Sequence, residues 1–449
     1  MEIGLATTQI TPQSPVELCG WCFGRSRGTR DPLLATCSVF ADADSKVVVI
    51  SADLVGMGVE LARSLRQEIG LRLGVGPERV CLCCTHTHSG PATVFLRHWG
   101  EIDAEYLGWL RQRLLDCAAA ADAHRFEGEV VTVRRNVWGV GFNRRRPNGP
   151  VDPELLVVRL QETASGRLRG LLLSYACHPV ILHGYRNLFS ADYPGFVRAR
   201  IRERTEMDLP ILFLTGACGS INPFGTDVGH GNLEGAQRIG RLLGDAAVDS
   251  LADGGAGRAP GGAEAVPCST VDACENALDL SVYPPPPREE LERGIAQHEQ
   301  ALREAEAGPA RVRHMDRVAH QIEIEWAREV LADLEAGRPP EPIEVVLQVL
   351  RIGDVVILGV SAEVFVEIGL AIKNRWYAER ESGAHLCVAT LANGDIGYLV
   401  DSAAYAAAAY EAGGLAYKVY GRYLIEAEAG DRVMTRLLEY PRWHGSRIP

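Results

Sequence analysis

The stretch Val80-Cys81-Leu82-Cys83-Cys84-Thr85-His86-Thr87-His88-Ser89-Gly90-Pro91 reads as a buried β-strand over residues 80–87 that runs into a tight turn. A short apolar run bounded by Ser-Gly-Pro is the pattern of such a strand. Side chains two apart in a strand point to the same side, so this reading sets His86 and His88 on one face. Both imidazoles then stand at the C-terminal end of a strand, where α/β proteins commonly form their sites. One ring can ligate a metal while the other supports it or acts as an acid or base. Two hydrogen-bonded structural histidines are the plainer alternative.

Working outward, residues 47–54 (VVVISADL) form a continuous apolar run, consistent with a strand buried on both faces. An amphipathic helix follows over residues 59–73. Residues 129–137, 155–161 and 168–176 look like further strands, and 210–215 is a short one that opens into Gly216-Ala217-Cys218-Gly219. A helix is expected over 235–251, and the Gly- and Ala-rich stretch 252–265 reads as a surface loop or linker. After four prolines comes a charged segment, 288–337, with a break at Gly308-Pro309. It reads as a helical hairpin inserted at 285–340, its charges forming a solvated face and the hairpin projecting from the body. Strand-like chain resumes at 343–350 and 355–360. The pattern predicts an α/β fold, and 449 residues suffice for one large or two ordinary domains.

Other polar residues repeat the placement of His86. His178 follows the apolar strand ending at 176, within Cys177-His178-Pro179, and Ser190-Ala191-Asp192-Tyr193-Pro194-Gly195 lies a little further on. Glu363 stands where the strand 355–360 gives way to the helix-like VFVEIGLAIK; its rival as an oxygen ligand is Glu367, four residues later. A carboxylate there also suits a helix N-terminus without any metal. Tyr398 follows the glycine-containing loop Leu391-Ala392-Asn393-Gly394-Asp395-Ile396-Gly397, where a phenol can bind a metal or stabilise an oxyanion. Arg144 belongs to Gly141-Phe142-Asn143-Arg144-Arg145-Arg146, either a solvated basic turn or a source of one substrate-facing arginine. Zinc catalysis needs three or four protein ligands and one open position, and mixed sites rich in histidine favour zinc.

Bulk properties narrow the function classes. The 449 residues are 47% apolar and 23% charged, the profile of a globular protein. A net charge of -12 argues against a nucleic-acid binder, which needs a basic surface. No run approaches the roughly 18 apolar residues required to span a bilayer, and the start MEIGLATTQITP lacks the basic and apolar regions of a secretory signal. A cytoplasmic location is the resulting expectation. Of the 12 cysteines, Cys19 and Cys22 form a lone CxxC, and the rest read as small buried hydrophobes.

Several segments, in this order, resemble the neutral/alkaline non-lysosomal ceramidases. They are Ile3-Gly4-Leu5-Ala6 through Ile10-Thr11-Pro12, Ser51-Ala52-Asp53-Leu54, Thr85 through Pro91, Asn143-Arg144, Ala217 through Pro223, Glu363, Gly397-Tyr398 and Tyr410-Glu411-Ala412-Gly413-Gly414. The chain is most similar to compact bacterial-type members that have the catalytic domain alone, without the C-terminal immunoglobulin-like domain. The resemblance implies a single α/β domain over residues 1–449, of mixed β-sheets flanked by helices, with Zn2+ on His86, His178, Glu363 and Tyr398, and His88 as a catalytic residue near the metal. It further implies that Arg144, Tyr410 and either Tyr417 or Tyr420 line the substrate site; Asp192, in the Ser190–Gly195 segment, is a further substrate-binding candidate. One segment departs from the family pattern. Gly219-Ser220-Ile221-Asn222-Pro223 puts Asn222 where ceramidases carry a serine given a catalytic role, and Ser220 where they carry an acidic residue. Asn222 cannot be a nucleophile but can hold a carbonyl, and Ser220 can react only if its loop faces the metal. The expected function is hydrolysis of a small-molecule or lipid-like amide by metal-activated water. The same site acting on an ester, lactone or cyclic amide, or forming an amide, is one alternative, and a metal-free binding module is another.

Overall fold

The computed structural model describes residues 1–20, 24–227, 229–252, 270–307, 314–379, 384–407 and 409–439. Cys22, the break at Gly308-Pro309 and all but the first residue of the 252–265 linker lie outside them. In chain order the first part runs β1 (Glu2–Gln9), β2 (Leu34–Ala41), β3 (Lys46–Ala52), α1 (Val59–Leu73), β4 (Val80–Cys84), α2 (Ala104–Ala123), β5 (Phe126–Asn136), β6 (Gly141–Asn143), β7 (Glu154–Glu162), β8 (Leu168–Tyr175), α3 (Asp192–Thr205), β9 (Ile211–Thr215), β10 (Ile221–Pro223) and α4 (Leu233–Ala252). The second part runs β11 (Val271–Leu280), α5 (Arg288–Ala307), α6 (His314–Glu335), β12 (Ile343–Ile352), β13 (Val355–Val360), β14 (Glu363–Val364), α7 (Val366–Glu379), β15 (His385–Thr390), β16 (Tyr398–Leu399), α8 (Ser402–Ala406), α9 (Ala416–Tyr420) and α10 (Ala429–Leu438).

Two mixed sheets pack face to face between outer layers of helix. The larger has the order β4-β3-β2-β1-β5-β7-β8-β9, parallel only at its two ends, β3 with β4 and β8 with β9. The smaller has the order β11-β12-β13-β15. β3 is a continuous apolar run because both of its faces are covered. Val47 and Val49 pack with Ile357 and Cys387 of the smaller sheet, whereas Val48 and Ile50 pack under Leu65 of α1 and Leu114 of α2. Each such side chain contributes about 1.5–3 kcal/mol when fully buried. α3 and α4 cover the β7–β9 end through Val197, Ile201, Ile239 and Leu243. α7 and α10 cover the far side of the smaller sheet through Ile372, Trp376, Val433 and Leu437. The α/β class with mixed sheets between helices is therefore the fold, and the ten described cysteines are all buried in it.

Polar stitches bring distant strand ends together. The Ser51 hydroxyl of β3 donates to Phe213 O of β9 at 2.7 Å and accepts from Phe213 N at 3.2 Å. Just beyond the strands, Thr215 donates to Thr85 O at 2.8 Å. The smaller sheet joins the same point: Asn393 N donates to Leu82 O at 2.7 Å, and Thr390 donates to Gly216 O at 3.0 Å. The C-terminal ends of β4, β8, β9 and β15 thus meet at one place.

The α5–α6 pair packs against the body instead of projecting from it. Val318 and Ile322 of α6 are buried with Val55, Trp99 and Val419, so α6 has an apolar face that the density of charges around it conceals in the sequence. No helix among the described residues is long and apolar enough to cross a membrane.

Candidate metal centre

β4 stops at Cys84, earlier than the sequence pattern predicts, and residue 86 turns into the left-handed region with φ 71°. His86 and His88 are therefore neighbours through a kinked backbone, not through a shared strand face. The kink is held by backbone bonds from Thr85 N to Ala52 O and from His86 N to Leu54 O, both 2.8 Å. Asp53 braces it as well, accepting from the Thr85 hydroxyl at 3.2 Å and from Arg198 at 2.5 Å. A non-glycine residue held at such a φ costs on the order of 1–3 kcal/mol, and sites that need a special side-chain direction commonly carry that strain.

The kink aims the His86 ring inward. Its Nδ1 lies 2.5 Å from Val55 O, and His178 Nδ1 lies 2.6 Å from Cys218 O and 3.1 Å from Ile221 O. A carbonyl partner makes Nδ1 the protonated nitrogen in each ring, leaving Nε2 to face the site. Both Nε2 atoms converge on one oxygen of Glu363, at 3.3 Å from His86 and 2.9 Å from His178. The ligand atoms of the three residues all lie within 4.8 Å of one another, and none of the three is more than 1% exposed. Glu367, the rival carboxylate, is instead bonded to Ser220, Asn143 and Arg146.

The electrostatics match a site built for positive charge. Burial alone would raise the Glu363 carboxyl, but His86 and His178 hold it well below the usual range. Burial depresses His86 too, yet Glu363 outweighs it and the ring's pKa is raised. His178 falls to about 4 through burial and the nearby Arg144 guanidinium. Two imidazoles anchored through Nδ1 and a buried carboxylate facing both Nε2 atoms form a donor set that can hold a metal ion, and these residues fit one.

His88 stands beside the set, its Nε2 3.2 Å from His86 Nε2. Burial, followed by the neighbouring His86 and His183, pushes its pKa well below the ordinary value, so the ring is neutral near pH 7. His183 packs 5.2 Å from it between ring centres. The fit leaves room for no side chain at Gly20, where φ is +116° and a Cβ would lie 2.8 Å from His183 Nε2 and 3.1 Å from His88 Nδ1.

The other predicted residues separate into two groups. β14 pairs with β16 so that Glu363 stands opposite Tyr398. Arg144 Nη2 donates to the Tyr398 hydroxyl at 3.2 Å and to Gly219 O at 2.7 Å, and Nη1 donates to Asn222 Oδ1 at 3.4 Å. Tyr420 donates its phenolic hydrogen to Glu363 Oε1. Tyr417 packs edge-on to Trp326 at 5.7 Å in the wall of an adjoining cavity, and Tyr410 is 37% exposed, close enough to be felt by Arg144 and Glu363. Asp192 supports the turn that precedes His183. It is fully buried, with Oδ2 accepting from Leu182 N at 2.7 Å and Oδ1 from Tyr193 N at 2.6 Å, so both oxygens fix backbone. Ser220 is also committed, since its hydroxyl donates to Glu367 at 2.9 Å and accepts from Val366 N at 3.1 Å. That pairing corrects the option of Ser220 as a nucleophile: the hydroxyl serves the start of α7.

Three contributors had no assigned role in the sequence reading. Glu411 neutralises Arg144 at 3.0 Å and Arg145 at 2.9 Å. His183 borders His88, and Asp395 lies buried near Glu363 and His86, its Oδ2 without a hydrogen-bond partner. Glu411 adjoins Tyr410 and Asp395 lies in the loop before Tyr398, so both occur in segments that were already conspicuous.

No family model matches the chain. Two solved structures share its architecture over 100% of its length. One is the neutral ceramidase of Pseudomonas aeruginosa, with TM-score 0.72, 18% identity and 75% of that chain covered. The other is a ceramidase complexed with C2, with TM-score 0.73, 18% identity and 76% covered. The chain has the neutral ceramidase fold. In that fold the candidate ligands come from the strand ends of both sheets, which explains why they are far apart in sequence. The ceramidase-like architecture also accounts for the long intervals between the motifs: each interval is a helical crossover or a strand excursion that returns the chain to the same end of a sheet.

Proposed function

We propose that this protein is a zinc-dependent hydrolase of an amide bond, with the ion on His86, His178 and Glu363 and with Tyr398 as a fourth ligand. The observation that carries the reading is the convergence of two Nδ1-anchored imidazoles on one buried carboxylate, with a neutral histidine alongside. The likeness to two ceramidases supports the amide as the bond attacked. A bound dication supplies Lewis acidity, polarising the scissile carbonyl and making water nucleophilic near neutral pH.

The chain's own groups do the rest. His88, neutral and adjacent to the ligands, accepts a proton from the attacking water at Nε2 and returns it to the leaving amine. Arg144 is held by Gly219, Asn222 and Glu411 so that its remaining capacity points at the Tyr398 hydroxyl, and the pair stabilises the tetrahedral oxyanion. Asn222 acts through Arg144 and is thus a positioning residue. Tyr420 fixes the orientation of the Glu363 carboxylate.

The test is metal analysis of protein purified without added zinc, followed by assays on short acyl-amides, esters and lactones. The reading requires about one zinc per chain and preferential cleavage of the amides. Turnover of esters or lactones alone would move the reaction to another acyl bond, and a chain that takes up no metal and cleaves none of them is a binding module.

A further inference from the structure

The cavity that adjoins the candidate metal centre has about 860 Å³ of space, with Tyr398 and Tyr420 in its inner wall. Because Tyr420 also touches Glu363, an amide lying at the ligand cluster must extend the remainder of its molecule into this space. Sites of some 300–1,000 Å³ enclose compact ligands.

The cavity lining is chemically mixed. Ile343, Ile396, Leu424 and Ile425, with Tyr405, supply apolar surface. Glu329 and Asp333 of α6, four residues apart and so on one stripe, supply carboxylates that belong to an ion-pair lattice, and Glu325 continues the stripe outside the lining. Arg97, only 2% exposed, grips Glu329 with two bonds of 2.7 and 3.0 Å and reaches Glu325 at 3.2 Å. Arg422 meets Asp333 at 2.5 Å, Arg338 meets it at 2.6 Å, and the Tyr423 hydroxyl donates to it at 2.9 Å. Among the residues that line the cavity, Arg97, Arg338 and Arg422 stand with Glu329, Asp333, Glu341 and Glu411, a formal charge of -1. The Arg338, Arg422 and Glu329 side chains stay 38–59% exposed, and exposed ion pairs add little stability. An alkyl chain laid on these groups would strip their water and return nothing. Hydroxyl or amide groups would exchange hydrogen bonds with them at little cost, and an anionic group would meet a net negative lining.

We propose, on the basis of the amide-hydrolase reading, that the substrate is a compact amide with two chemically distinct parts: a polyhydroxylated amine that exchanges hydrogen bonds with the arginine–carboxylate lining, and a short apolar acyl group that packs on the isoleucines. Long-chain lipid amides are then poor substrates.

Zinc-loaded protein is assayed on N-butanoylglucosamine, on N-octylbutanamide, which lacks hydroxyls, and on N-hexadecanoylsphingosine in mixed micelles. The expected order places the glucosamine amide about tenfold or more ahead in kcat/KM, a factor that corresponds to one well-made set of hydrogen bonds. In Glu329→Gln and Asp333→Asn, the ratio of kcat/KM for the hydroxylated over the plain amide should fall about tenfold, mainly through KM. Arg422→Gln serves where either carboxamide variant melts far below the parent protein. A preference for the long-chain amide, or a ratio that the variants leave unchanged, overturns the proposal. If no amide is cleaved, the hydrolase reading fails. Calorimetric titration of N-butanoylglucosamine and N-octylbutanamide into the metal-free protein then still decides this one, since the hydroxylated compound must bind tighter and lose that advantage in Glu329→Gln.

Discussion

The phenol of Tyr420 donates to the carboxylate of Glu363 across 57 residues of sequence, tying the short helix α9 to the carboxylate that His86 and His178 both face. A hydrogen bond of that kind fixes which way a carboxylate lone pair points, and losing one typically costs ten- to a hundredfold in metal affinity. Tyr420→Phe should therefore bind zinc about ten- to a hundredfold more weakly in chelator competition while remaining folded. Unaltered affinity would mean that Glu363 is oriented by something else.

His86 carries two roles that different substitutions separate. Asparagine tolerates the left-handed backbone that His86 adopts, whereas alanine does not. Both His86→Asn and His86→Ala should lose bound metal and turnover together. His86→Ala should in addition melt lower in the metal-free state, by on the order of 1 kcal/mol. A His86→Asn protein with full metal content and activity would remove His86 from the ligand set.

Arg144 satisfies Gly219 O, the Tyr398 hydroxyl, Asn222 and Glu411 with one planar fork. A lysine ammonium cannot span those directions. Arg144→Lys should lower kcat by roughly 10²–10³-fold, the usual cost of removing an oxyanion donor, with a smaller change in KM. A loss confined to KM would make Arg144 a binding residue only.

His88 must be neutral to accept a proton, and its folded pKa lies well below the ordinary histidine value because burial and the neighbouring imidazoles disfavour the cation. In the proposed mechanism activity is accordingly present above that pKa and lost as pH falls through it. The acid limb of kcat/KM should sit below pH 6.5 and disappear in His88→Gln, leaving a low, flatter profile. An acid limb that survives the substitution assigns it to another group.

Asp395 offers a test of the metal-free state. Burial, reinforced by Glu363, raises its pKa to about 8, against 3.8 ordinarily, and its Oδ2 has no hydrogen-bond partner. The folded chain then holds a proton here that the unfolded chain has released, so stability falls as pH rises from about 4 towards 8. Asp395→Asn should flatten this dependence in the metal-free protein, melting higher than the parent at pH 8, and should weaken zinc binding by removing a nearby negative charge. Lower stability at every pH, with or without zinc, would indicate a packing role instead.

The fold class and the main ligand candidates were legible because they rest on local pattern. β4 and β13 are apolar throughout and β8 holds the apolar run Leu171-Leu172-Leu173, and His86, His178 and Glu363 each follow one of these strands closely. What local pattern cannot carry is direction. The kink at His86 depends on Asp53 and the Ala52–Leu54 backbone, which come from another strand. Asp192 and Ser220 occupy conspicuous motifs, yet their polar atoms are spent on neighbouring amides and on Glu367, a distinction set only by tertiary contacts. The charges on α6 read as a solvated face, and Glu325, Arg328, Glu329 and Glu335 do stay open to solvent; periodicity does not reveal that Arg338 and Arg422 arrive from elsewhere to bury Asp333.

The Asn393–Leu82 and Thr390–Gly216 bonds have a practical corollary for how the protein matures. Until both sheets have docked, the imidazoles and the carboxylate belong to separate, loosely related pieces of chain, and no grip on an ion exists. On the proposed reading, stoichiometric zinc uptake reports that assembly has finished, and a lesion that merely delays docking would be read first as a metal-poor preparation.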